Sequence, residues 1–388
     1  MARTVAILGA GVGGLETARH LRRLLPDSDR IVLVDRGFDT SLGLSLLWVL
    51  RGWRRRADVQ VTVAPAALPG VELTRGEVRA IDPEGRTVRT SAGDISYDAL
   101  VIALGGELDP AATPGFADAL GDGSAHEFYT LDGAEAFGRR LSGFGEGRLI
   151  IAIAGLPFKC PAAPFEAAML AADALSSGDA GRAVQVDTFT PDPLPMPVAG
   201  PAVGEGLVAM LKEQEVGFYP GQAVASVDSA RRELCFADGR RETYDLLALV
   251  PRHRPPRAVA ELGLSEAGWI PVDAATLATS LDGVWALGDV TALMLPNGKP
   301  LPKAAVFAEG EAEVVAAGVA RHLGHAVPER RYDGHGSCYI EIGGHRAAKG
   351  EGDFFASPAP VVTLHAPSAA FHEEKRAQET GWLRRWAG

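Results

Sequence analysis

The chain has 388 residues, 47% hydrophobic and 22% charged, and 49 acidic against 38 basic side chains leave a net charge of −11. That length exceeds one ordinary domain, the balance is that of a soluble globular protein, and the acidic excess excludes nucleic-acid binding by the protein as a whole. Three cysteines without a C-x-x-C pair exclude a secreted disulfide scaffold, and no apolar run reaches the roughly 18 residues that span a bilayer.

Only Arg3 precedes the first apolar run and no small-residue cleavage pattern follows it, so the N-terminus reads as a strand and the cytoplasm is the expected compartment. Thr4 to Leu8 is that strand. Gly9-Ala-Gly-Val-Gly-Gly14 follows, then a helix from Leu15 to Leu25 and a second strand at Ile31 to Val34, ending in Asp35. Gly9 permits the tight turn, Gly11 lets backbone approach a pyrophosphate, and Gly14 lets helix pack on strand. Asp35 falls 21 positions beyond Gly14 (35 − 14), where a ribose hydroxyl needs an acceptor. The pattern predicts a dinucleotide site with Gly9, Gly11, Gly13, Gly14, Asp35 and Arg36 as candidate contacts. It does not separate FAD from NAD.

Leu42 to Arg56 mixes leucines, Trp48 and Trp53 with Arg51, Arg54, Arg55 and Arg56. It reads as a helix with one buried and one basic solvated face, the alternative being a membrane-facing patch. Val71 to Thr90 alternates around Asp82-Pro83-Glu84-Gly85, a hairpin signal. Tyr97 to Gly105 is a buried strand ending in glycine, which adds Ala103 and Gly105 to the cofactor candidates. A similar strand at Tyr244 to Pro251 makes the pair of crossovers between domains.

Between them a new βαβ unit starts at the strand Leu149 to Ala154. The loop Phe158-Lys-Cys-Pro-Ala-Ala-Pro-Phe-Glu166 follows, then a helix of strong formers, Ala167 to Leu175. Cys160 therefore lies in a strand-to-helix turn, where the helix dipole and Lys159 are expected to stabilise a thiolate and where an open α/β sheet binds its ligand. Gly155-Leu-Pro-Phe-Lys-Cys160 is not a G-x-G-x-x-G sequence, so a bound nicotinamide cofactor is not expected there. Val184 to Phe189 reads as the next strand, Gly206 to Glu213 as a helix, and Asp238-Gly239 as a hairpin turn beside Cys235, a packed thiol.

Asp282 to Asp289 is a strand ending in Gly288-Asp289, whose carboxylate suits a sugar-like hydroxyl. Pro302 to Glu309 leads into a helix reaching about His322. That N-terminus, with Lys303 and Ala304 beside it, suits the negative edge of a reduced flavin. Tyr332 to Ala347 contains an alternating strand with Cys338, and Phe354-Phe355 and Val361 to Leu364 read as further strand material. The stretch Phe371 to Trp386 is helical and charged, with Trp382 and Trp386. It suits shallow membrane docking, packing on its own domain, or a second subunit of a homodimer.

Gly9–Gly14, Tyr97–Gly105, Cys160–Glu166, Val284–Asp289, Pro302–Glu309 and Cys338-Tyr339 together resemble the sulfide:quinone oxidoreductase and flavocytochrome c sulfide dehydrogenase flavoproteins, within the two-dinucleotide-domain flavoprotein superfamily. Cys-Pro-x-x-Pro-aromatic-Glu with a late Cys-Tyr is the specific part. The resemblance implies an α/β fold of two Rossmann-like domains, the second inserted in the first, plus a small C-terminal α+β region. Residues 1–110 and 246–325 would bind FAD, 111–245 would carry the cysteine loop, and 326–388 would form the C-terminal interface region. It implies Cys160 and Cys338 as a redox disulfide, Glu166 as the nearby acid, and FAD on Gly9, Gly11, Gly14, Asp35, Gly288 and Asp289. Several members tether FAD through a cysteine near the position of Ser41; none is present here, so FAD is expected to be non-covalent.

The activity so implied is oxidation of sulfide or a small thiol, with electrons passing through FAD to a quinone or other acceptor. A peripheral contact with the inner face of the cell membrane would serve a quinone. The rivals are an NAD(P)H:acceptor oxidoreductase and an FAD electron-transfer subunit that works only with a redox partner.

Overall fold

The computed structural model describes residues 2–176 and 184–387. Its first sheet is parallel, with strands in the spatial order Val284–Ala286, Ala99–Ile102, Thr4–Leu8, Arg30–Asp35 and Glu72–Arg75. The three inner strands are near-continuous runs of Val, Ile, Leu and Ala because both faces are covered. Helices Val12–Leu24 and Ala305–His322 pack together on one face. A small antiparallel sheet, Val78–Asp82, Thr87–Thr90 and Gly93–Ser96, contains the expected hairpin.

The second sheet is also parallel, ordered Gly217–Tyr219, Val184–Phe189, Gly147–Ile153 and Leu246–Val250. Two chain passages connect the sheets. They lie side by side, because Glu107–Leu108 pairs antiparallel with His253–Arg254. The helix expected from Gly206 begins earlier, at Pro201, where the missing proline N–H is harmless. A third, antiparallel sheet runs His335–Gly343, Arg346–Asp353 and Val361–Ser368, and the helix Ala369–Trp386 closes the described chain.

Two expectations are corrected, and one alternative left open is decided. Leu42 to Arg56 is not one helix: Gly52, at φ +83°, ends the helix Ser45–Arg51, and a short helix resumes at Arg56–Val59. Its face is not free either. Leu46, Leu47, Trp48, Val49 and Leu50 are buried, and Arg51, Arg54 and Arg56 pair with Asp173, Glu379 and Glu135. Phe354-Phe355 follows a strand as a turn, edge-on to Phe307 and Tyr332. Trp382 and Trp386 are buried in the core that contains Leu15, Phe38 and Leu42, so both indoles pack on their own chain. Among the described residues no helix is long and apolar enough to cross a membrane.

Candidate active site

A cavity of about 970 Å³ runs from the glycine turn to the cysteine loop. Its wall includes Gly9, Gly11, Gly13, Asp35 and Arg36, then Ala103 and Gly105, then Gly288, Asp289, Lys303 and Ala304, and finally Cys160, Glu166 and Cys338. Gly14 is the one sequence-predicted residue off this wall. A Cβ there would lie 1.8 Å from the Gly9 carbonyl oxygen, so Gly14 sets the approach of helix to strand.

The glycine end fits FAD. A Cβ on Gly11 would meet no protein atom within 4 Å, so the space beside its backbone is open. The helix Val12–Leu24 has no side-chain cap and no acid in its first turn, which leaves its first N–H groups for an anionic ligand. Asp35 is anchored locally: one carboxylate oxygen accepts from Ala10 N at 2.9 Å, the other from Gly37 N at 2.9 Å and Phe38 N at 3.0 Å. Each oxygen accepts through two lone pairs, so capacity for a sugar hydroxyl remains.

The helix Ala305–His322 likewise enters the cavity wall without a side-chain cap or first-turn acid. Lys303 is not a solvated end residue. Its ammonium donates to the carbonyls of Asp289, at 2.6 Å, and Thr291, at 2.9 Å, and sits 3.7 Å from the Trp269 ring centroid. Burial lowers its pKa to about 8. Two of its three donors hold the loop after Gly288-Asp289.

Beneath that loop, buried Glu311 accepts from Gly288 N at 2.7 Å, and burial raises its carboxyl from 4.5 to about 7. Between those values the native state keeps a proton that the unfolded chain has lost, so this group's contribution to stability falls as pH rises through the window. Glu311→Gln stays neutral and keeps an acceptor. Denaturant titration should show the wild type losing about 2–3 kcal/mol more than the variant between about pH 5 and pH 8. Parallel pH dependences would refute the assignment.

At the other end, Cys160 has φ +53°, a left-handed conformation uncommon outside glycine. Its N–H donates to the Lys303 carbonyl at 2.6 Å, which ties the cysteine loop to the entry of the helix Ala305–His322. Cys338 reaches the same cavity from the strand His335–Gly343. Both are free, half-buried thiols on the cavity wall, as Cys235 is a free thiol on the distant hairpin strand Glu233–Phe236. The expected stabilised thiolate is corrected. Burial pushes Cys160 up to about 12, with Cys338 and Glu166 adding to it and Lys375 opposing, and pushes Cys338 up to about 11. Desolvation outweighs the helix dipole because the sulfur sits among apolar side chains.

Glu166 is buried and paired with Lys375, whose side chain is 1% exposed. Burial raises the Glu166 carboxyl to about 7 against the pull of that lysine. Glu341 lies 4.0 Å from Lys375, and one of its oxygens accepts from Trp48 Nε1 at 3.2 Å and faces His372 Nδ1 at 3.0 Å. Lys375, Glu341 and His372 escaped the sequence reading. The signal was there: His372, Lys375, Glu379, Trp382 and Trp386 recur at alternating steps of three and four, one helix face, and all five are buried.

The profile of the pyridine nucleotide-disulphide oxidoreductase family matches residues 3–312. A mitochondrial sulfide:quinone oxidoreductase of Mus musculus is 24% identical over 368 residues, which cover 91% of this chain and 79% of that protein. A sulfide-quinone reductase of Aquifex aeolicus is 39% identical over 113 residues, 28% of this chain and 25% of that one. The crystal structure of the sulfide:quinone oxidoreductase from Aquifex aeolicus superimposes with a TM-score of 0.88 at 22% identity, covering 100% of this chain and 92% of the other. The likeness of fold therefore extends over the third sheet and the last helix, beyond the span of the family profile.

Proposed function

Since the chain belongs to the pyridine nucleotide-disulphide oxidoreductase family and is an FAD-dependent oxidoreductase, we propose that it oxidises sulfide or a related small thiol through Cys160 and Cys338. The observation that supports this is the sharing of one cavity by both thiols, Glu166 and the glycine cradle, with the Cys160 N–H on the Lys303 carbonyl.

In the oxidised protein the two cysteines form a disulfide. Hydrosulfide attacks one sulfur, the S–S bond breaks, and a persulfide and a thiolate result. A second hydrosulfide or thiol removes the outer sulfur. The two cysteines then re-form their disulfide, giving up two electrons and one thiol proton. Bound along the cavity, FAD would supply the two-electron acceptor. Glu166, poised at about 7, takes the thiol proton in its ionised form. The onward acceptor is a quinone, met at a membrane surface. Residues 1–110 with 246–325 act as the FAD unit, 111–245 present the cysteine loop, and 326–388 bring Cys338 and Lys375 to it.

A nicotinamide reading has less support. A Cβ on Gly155 would lie 2.9 Å from Arg252 Cβ, so Arg252 crowds the turn after the strand Gly147–Ile153, and two prolines and Lys159 follow it in sequence. Anaerobic titration of the FAD-loaded protein should bleach the flavin stoichiometrically with sulfide and leave it yellow with NADH. Bleaching by NADH alone would replace the proposal with nicotinamide chemistry.

A further inference from the structure

The two thiols are half-buried, and each proposed turnover frees a proton between them. Glu166, which receives that proton, is itself 2% exposed. Past its partner Lys375 the side chains do not end in a closed ion pair. Glu341 Oε1 faces Lys375 Nζ at 4.0 Å on one side and His372 Nδ1 at 3.0 Å on the other. His372 Nε2 lies 3.3 Å from Nδ1 of His345, and His345 is exposed. We propose that Glu341, His372 and His345 are a proton path joining the Glu166–Lys375 pair beneath the thiols to solvent. The direction of flow rests on the sulfur chemistry proposed above; the path itself rests on this geometry.

Three features favour a path over a purely structural cluster. Glu341 Oε2 is buried with no hydrogen-bond partner, a costly arrangement for a permanent carboxylate and one that a transient proton relieves. Burial raises the Glu341 carboxyl, with Lys375 and Trp48 opposing, which keeps protonation within reach. His345 follows Gly343-Gly344 at φ +54°, a conformation a histidine adopts at a cost, and its ring stacks on Trp53 at 4.4 Å. The same indole meets His372 edge-on, so both imidazoles pack on one ring.

Burial lowers the His372 pKa, and Lys375, Arg376 and Arg54 act the same way against Glu373. Glu341 faces it from the strand, His345 from the turn, and Asp173 acts on Glu341 from the helix Ala163–Ser176. A neutral imidazole accepts at one nitrogen and donates at the other.

The transfer balances. Lys375 Nζ stands 4.0 Å from Glu341, so the side chain first closes on that carboxylate to give it a proton and then takes one from Glu166, remaining an ammonium. Glu341 passes a proton to His372 Nδ1, His372 gives one from Nε2 to His345 Nδ1, and His345 releases one from Nε2 to water. Each carboxylate ends as it began and both rings have switched tautomer; rotation of each ring restores the starting tautomer before the next proton leaves.

His345→Ala removes an exposed ring and should fold. On anaerobic mixing of FAD-loaded protein with sulfide in weak buffer, an indicator dye should report proton release slowed by about tenfold or more, restored by added imidazole. Independently of turnover, iodoacetamide labelling of Cys160 and Cys338 in the reduced protein, from about pH 6 to about pH 10, should differ at least about threefold at fixed pH between Glu341→Gln and wild type. Unslowed release in His345→Ala overturns the path, as does a slow release that imidazole leaves slow. An unchanged labelling profile in Glu341→Gln shows that Glu341 is not coupled to the thiols and overturns it too. If wild type fails to bleach with sulfide, the sulfur chemistry falls while the labelling arm still decides the coupling.

Discussion

Replacing Cys160 by Ser is expected to abolish sulfide-driven bleaching of the flavin, by at least about a thousandfold, while FAD stays bound. A hydroxyl neither forms the disulfide that hydrosulfide attacks nor leaves from it. Its volume is close to that of the thiol, and the backbone contacts that place residue 160, the N–H on Lys303 and the carbonyl on Ala163 N at 2.9 Å, need no sulfur. Cys338→Ser should match it, because each sulfur is the other's partner. Cys235→Ser, on its hairpin strand away from the cavity wall, should bleach like wild type. Rapid mixing under anaerobic conditions reads all three. Wild-type bleaching by the Cys160 variant would remove the cysteine mechanism, whatever remained of the cofactor site.

Gly11→Val and Gly14→Ala should fail in opposite ways. The Gly14 variant drives a Cβ to 1.8 Å from the Gly9 carbonyl oxygen, backbone that is held by the strand and has no flexible end to yield. Its stability should fall by about 3 kcal/mol or more, in the unloaded protein as well as the loaded one. At Gly11 the space is open and the backbone, at φ −79° and ψ −169°, suits any residue. The unloaded Gly11 variant should therefore melt like wild type but bind FAD roughly a hundredfold more weakly, about 3 kcal/mol, because the side chain fills the approach to the pyrophosphate. Thermal melts beside flavin retention after gel filtration separate the two. Normal FAD binding by Gly11→Val would show that the cofactor does not cross this turn.

Much of this protein was written locally. A strand, a glycine turn, a helix and an acid in fixed order can hardly adopt another arrangement. The sheet around Thr4–Leu8 and the cavity-lining places of Gly9, Gly11 and Gly13 follow from backbone sterics over a few residues. The short motif around Cys160 was legible for the same reason, since a strand end followed by proline and helix formers makes its own turn.

What lay beyond the sequence depends on contacts between distant segments. The Cys160 thiol is raised and not lowered because the folded chain surrounds it with apolar walls, an environment that Lys159 and a helix dipole, both local, do not reveal. Glu166 finds Lys375 and Glu341 finds Trp48 across spans of hundreds of residues, and Glu341 finds His372 from a separate strand and helix. Burial energies are set by everything packed around a group, and no window of neighbouring residues contains that sum. The chain order therefore decided where a dinucleotide lies, and only tertiary packing decided which side chains govern the protons beside it.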